Sequence, residues 1–157
     1  MQLTHINEQN NPTMVDVSDK QITKRRALAS GKITMNEEAF KAVLNGNAKK
    51  GAVINTAIVA AVMGAKQTSN LIPMCHPLPI SKVEVDIEPI ENEFAFRLNA
   101  VVITEGKTGV EMEALNAVSV GLLTIYDMVK AIDKTMVIDD IKLLEKDGGK
   151  SGQFRRN

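Results

Sequence analysis

The 157 residues suffice for one domain, 1–157, with a core that needs no staples. Lys and Arg number 19, as do Asp and Glu, and aromatics are 3% with no Trp, so neither a coat for a nucleic acid backbone nor a base-stacking platform is expected. A single cysteine, Cys75, excludes an intrachain disulfide; with no signal-peptide layout and no apolar run of membrane-spanning length, a cytoplasmic protein without a membrane partner is expected.

The first twelve residues are rich in Asn and Gln, lack periodicity and are expected to be flexible. Residues 23–34 predict a strand that runs into a helix, with Thr34 and Glu37 spaced as a capping box and Asn45-Gly46 as the stop. A second helix is expected from Lys49-Lys50-Gly51 through AVINTAIVAAVMGAKQTSNLI. It is apolar on most sides, as suits burial between a sheet and a neighbouring subunit. Pro73, Pro77 and Pro79 end it in a non-helical loop.

Val83, Val85 and Ile87 alternate with Glu84, Asp86 and Glu88, and Phe94, Phe96 and Leu98 alternate likewise, predicting a hairpin around residues 89–92. EGKTG leads into the longest helix, about 110–132, and a strand IKLLE precedes a polar, Gly- and Lys-containing tail, 146–157, also expected to be flexible. The order is α+β, the βαββαβ plan of the ferredoxin-like fold with one additional helix, its antiparallel sheet packed on helices.

On the long helix Glu113, Asn116, Thr124 and Asp127 share a stripe, with Lys130 at its edge. Such a stripe either faces water or builds a site; spaced acids opposite an apolar face of Leu115, Val118, Leu122, Ile125 and Val129 favour the site. Glu113 and Asp127 lie fourteen residues apart, ~21 Å along the axis, too far to serve one proton transfer. Either they touch opposite ends of a ligand or each belongs to a different site, an arrangement that favours an oligomer with sites shared between subunits. Asp127 and Lys130 at i, i+3 pair as a minor surface bridge or, in a closed pocket, as acid and base.

Met74-Cys75-His76-Pro77 presents one imidazole from a stiff loop, to hydrogen-bond a ligand or the backbone; no metal site is expected from it. Three basic clusters remain: Lys24-Arg25-Arg26, Lys49-Lys50, and Lys146 with Lys150. Lys50 abuts Gly51 at a helix entrance that favours an anion. The tail KDGGKSG fails the P-loop pattern, since Leu144 stands where a glycine is required, yet it could wrap phosphates.

LIPMCHPLPISKVEV, EGKTGVEMEALNAVSVGLLTIYDMVKAI, LLEKDGGKSG and MVDVS resemble the signature segments of the cyclic pyranopterin monophosphate synthase family of molybdenum cofactor biosynthesis. This resemblance implies a lyase that takes the 3′,8-cyclo-7,8-dihydro-GTP intermediate, builds the pterin, closes a cyclic phosphate and releases pyrophosphate. It places the catalytic acid/base on Asp127 with lysines Lys50 and Lys130. Substrate contacts fall on Met74, Cys75, His76, Met112 and Glu113, and phosphate partners on Arg25 and Lys146. It further implies a hexamer, a trimer of dimers with interfacial sites, and no cofactor beyond Mg²⁺ carried on substrate phosphates. A small RNA- or metabolite-binding module without catalysis is the alternative reading.

Overall fold

The computed structural model describes residues 1–46 and 52–157. Its elements in chain order are β1 (Thr23–Thr34), α1 (Glu37–Leu44), α2 (Val53–Lys66), α3 (Thr68–Leu71), β2 (Ile80–Ile90), β3 (Ala95–Gly106), α4 (Glu111–Val129), β4 (Val137–Asp147) and β5 (Phe154–Arg155). The described strands form one antiparallel sheet in the order β2-β3-β1-β4-β5. Its first four strands have the arrangement of the ferredoxin-like fold, as the element order predicts.

Alternation decides the two sheet faces. Ala27, Ala29 and Ile33 of β1 stand beside Val102, Ala100 and Phe96 of β3, all buried under the helices. Small residues let α4 approach closely: a Cβ on Gly31 would collide with Val118 and Leu122, and one on Gly121 with Leu98. The opposite face carries charge, including the Arg26–Glu145 pair at 2.8 Å and Lys32–Glu93 at 3.1 Å. The basic run 24–26 is therefore divided by the pleat, with only Arg25 turned inward.

Helix α2 runs antiparallel to α4, since Asn116 Nδ2 donates to the Gly64 carbonyl at 2.8 Å while Gly121 packs against Ala57 and Ala61. The start of α2 and the end of α4 thus lie at one end of the helical layer. At 19 residues α4 is long and apolar enough to cross a membrane by length and composition, contrary to the expectation from sequence. Here its apolar side is spent on the sheet, where Val118, Leu122, Ile125 and Val129 are fully buried.

The structure departs from the sequence reading at three element ends. Thr34 does not cap α1, because its backbone is already paired in the sheet with Ala95 and Val137. Asn36 caps instead, its side chain accepting from Ala39 N at 2.8 Å while Asp133 accepts from Asn36 N at 2.8 Å. The long apolar helix also breaks at Gln67. There the Thr68 hydroxyl donates to the carbonyls of Gly64 and Ala65, and a side chain that bonds its own preceding turn competes with helix continuation. Finally, the tail carries β5, paired with Glu145 and Lys146 of β4, and the N-terminal segment closes a bridge between Ile6 and Pro12.

Candidate active site

The loop between α3 and β2 has no regular structure, as three prolines dictate, and is pinned at its start by Cys75 N donating to Ile72 O at 3.1 Å. His76 leaves it toward the N-terminal segment, with Nε2 2.7 Å from the Val15 carbonyl oxygen. Beside the loop lies the first turn of α4. Together they line a cavity of about 280 Å³ bounded by Met74, Cys75, His76, Glu111, Met112 and Glu113. Residues expected to contact one ligand, though 36 positions apart in sequence, do converge.

Glu113 is the unusual member. It is 4% exposed, and its Oε2 finds no partner among the described residues. Burial pushes its carboxyl up to about 7, and the negative charge of Glu111 adds to the rise. Such a group exchanges its proton near neutral pH and either donates or accepts a hydrogen bond. Burial, and then Glu113, also raise the Cys75 thiol, which keeps it protonated and a poor nucleophile.

Cations flank this cavity. Lys146, on the helix-facing side of β4, reaches Glu111 at 2.5 Å. Arg25 is buried, its Nε donating to the Gly106 carbonyl at 3.0 Å. Gly149, at φ 76°, passes so close to the Arg25 guanidinium that a Cβ there has no room. A second cleft, about 510 Å³, opens over Arg25 and this glycine loop.

Asp127 and Lys130 do form the expected pair, at 2.5 Å, but both side chains are more than half exposed. They stand at the far end of α4 and line neither cleft. Within one chain they are therefore separate from Glu113 and His76. Lys50 lies outside the described residues. The midpoints of the predicted stripe are structural: Asn116 bonds α2, and the Thr124 hydroxyl donates to the carbonyl of Val120.

Sequence reasoning missed Glu111 as the partner of Lys146, and the N-terminal segment as part of the cavity wall. His5 and Val15 line that cavity, although nothing in the periodicity of residues 1–20 marks them.

Fold and geometry define the class: a ferredoxin-like α+β protein gathering a buried carboxyl, a histidine and cations at one end of its long helix. The MoaC family model matches residues 14–149, so the chain belongs to the MoaC family. It is 64% identical to the cyclic pyranopterin monophosphate synthase of Helicobacter hepaticus, over 99% of this chain and 98% of that one. It is likewise 64% identical to that of Campylobacter lari, over the whole of both chains. The synthase of Helicobacter pylori is 58% identical over 98% of each.

Proposed function

We propose that this chain converts 3′,8-cyclo-7,8-dihydro-GTP to cyclic pyranopterin monophosphate with release of pyrophosphate, a phosphorus–oxygen lyase of cytoplasmic molybdenum cofactor biosynthesis. The observation that carries this reading is Glu113: a nearly inaccessible carboxyl, half-protonated near neutrality, in a cavity it lines together with His76 and Lys20, while Lys146 pairs with Glu111 of the same wall and Arg25 lines the neighbouring cleft. Rebuilding a purine into a pterin needs groups that give and take protons at that pH. A neutral carboxyl suits the hydrogen-bonding edge of a guanine-derived ring.

Closing the cyclic phosphate requires one substrate hydroxyl to attack the α-phosphorus. The bond from that phosphorus to the bridging oxygen breaks, pyrophosphate departs, and the hydroxyl proton passes to a base. Negative charge gathers on the leaving oxygens, where Arg25 and Lys146 stabilise it. Asp127 and Lys130, with Lys50 three positions ahead of Val53 in sequence, supply the base and its partners from a second copy of the chain. Two features support this sharing. The pair stands ~21 Å from Glu113 along one helix, and Val59, Met63 and Leu123 leave an apolar strip exposed on α2 and α4. A hexamer built as a trimer of dimers would cover such a strip.

The test is to supply purified protein with the cyclic dihydro-GTP intermediate. Pyrophosphate should appear together with a pterin that fluoresces after oxidation. Intact intermediate after prolonged incubation would overturn the reading.

A further inference from the structure

We infer that His5 is a further substrate-contacting residue, presented by a small N-terminal hairpin, residues 5–13, to the heterocycle of a substrate held in the Glu113–His76 cavity. This rests on the function proposed above for the identity of that substrate.

The hairpin is organised by its own polar residues. The Asn7 side-chain oxygen accepts from Gln9 N at 3.0 Å and from Asn11 N at 2.9 Å, the local bonding by which asparagine favours turns. Asn10 N donates to Asn7 O at 2.9 Å, and Asn10 takes a φ of 62°, which asparagine tolerates better than most residues. Ile6 and Pro12 then bridge, and Thr13 N donates to His5 O at 2.8 Å. The hairpin thus closes on His5 itself.

Burial does not account for this order. Residues 1–12 are all exposed, so the hairpin adds nothing to the core. The bonds that tie the segment to the body fall just after it. The Val15 carbonyl meets His76 Nε2 at 2.7 Å, and Ser18 O accepts from Lys107 Nζ at 3.2 Å. These two tethers lay the hairpin beside the cavity, where Thr4 and His5 complete the wall.

The cavity has use for an imidazole there. His76 commits its Nε2 to Val15, and Lys146 is engaged by Glu111. Glu113 Oε2 is buried with no partner among the described residues, so a guest must supply one. The His5 ring likewise makes no hydrogen bond among the described residues. An imidazole both donates and accepts, and a guanine-derived heterocycle offers groups of both kinds.

The experiment compares steady-state turnover of the cyclic dihydro-GTP intermediate by the full-length protein, His5→Ala, His5→Gln and Gln9→Ala. Gln9 is exposed on the same hairpin and does not line the cavity. His5→Ala should raise KM roughly tenfold, the scale of one lost hydrogen bond to a polar guest, with kcat close to that of the parent. His5→Gln, whose amide both donates and accepts, should recover most of that loss. Gln9→Ala should match the parent, and tryptic cleavage after Lys20 should be equally slow in all four. An unchanged KM in His5→Ala, an equal rise in Gln9→Ala, or a His5→Gln variant no better than His5→Ala overturns the contact while the function stands. If the parent forms no product, the function falls, and calorimetric titration of the same intermediate decides the contact. Tenfold weaker binding by His5→Ala then keeps it; equal binding, or none by the parent, removes it.

Discussion

The Nε2 of His76 lies 2.7 Å from the carbonyl oxygen of Val15, and because a carbonyl only accepts, that nitrogen carries the proton. The ring is thereby oriented by the N-terminal segment, which it in turn fastens over the cavity. His76→Phe keeps the ring and deletes the donor. Trypsin should then cut after Lys20 faster than in the parent, and turnover should fall with it. Unchanged cleavage kinetics would show that the segment is held without this bond.

Glu113 makes stability depend on pH in a defined direction. Its folded value of about 7 lies above the ordinary 4.5. Below 4.5 both folded and unfolded chains are protonated there, and the favourable neutral state is fully present. Between the two values only the unfolded chain ionises, so stability falls as pH rises and stays low above about 7, by at most about 3 kcal/mol. Glu113→Gln, permanently neutral, should be more stable than the parent at pH 8 and nearly equal at pH 4. Urea unfolding at both pH values measures this, and a variant-to-parent difference that is the same at both would refute the burial argument.

Much of the architecture could be read beforehand because it rests on period and punctuation. The alternation in residues 83–88 and 94–98, the prolines at 73, 77 and 79, and the stop at Asn45-Gly46 are local signals, and each held. The element order then led to the sheet order. The misses are tertiary. Thr34 has a sound capping sequence, but sheet pairing claims its backbone first. At the break at Gln67, the Gly64 carbonyl accepts both from the Thr68 hydroxyl and from Asn116, 52 residues away. For the site, residue types along one helix identified Glu113, but its lack of a partner among the described residues and its raised carboxyl come with burial in the folded chain, beside a cavity it shares with residues 74–76, which no helical wheel displays.

The glycine loop supplies a prediction of its own. At Gly149 an added Cβ is disfavoured twice, by a φ of 76° and by the guanidinium of Arg25. Gly149→Ala should cost about 1 kcal/mol or more in denaturant unfolding, since the backbone conformation alone has that scale. Displacing Arg25 should also raise KM for the cyclic dihydro-GTP substrate. Gly46→Ala has a similar φ of 70° but no atom of the described residues within 4 Å of the added Cβ, so it should show the backbone cost without the KM effect. A matching KM change in both variants would mean that the Arg25 contact is immaterial.

Asp127 and Lys130 offer the sharpest separation of catalysis from stability. Their 2.5 Å pair is more than half exposed on each side, and exposed pairs contribute about 0–1 kcal/mol. Asp127→Ala and Lys130→Ala should therefore unfold within that margin of the parent. Turnover, by contrast, should drop by at least ~10²-fold, the scale of a lost general acid or base, and Lys50→Ala should do the same. Because His76 lines a cavity with the first turn of α4 while Asp127 lies near its last, a site that uses both must draw them from two chains. Mixed assemblies then decide the matter. Refolding Asp127→Ala together with His76→Ala places some intact pairs across subunit boundaries, and activity that neither variant shows alone should reappear. If the mixture stays as inactive as its components, while sedimentation shows that they co-assemble, the two ends of the helix do not serve one reaction.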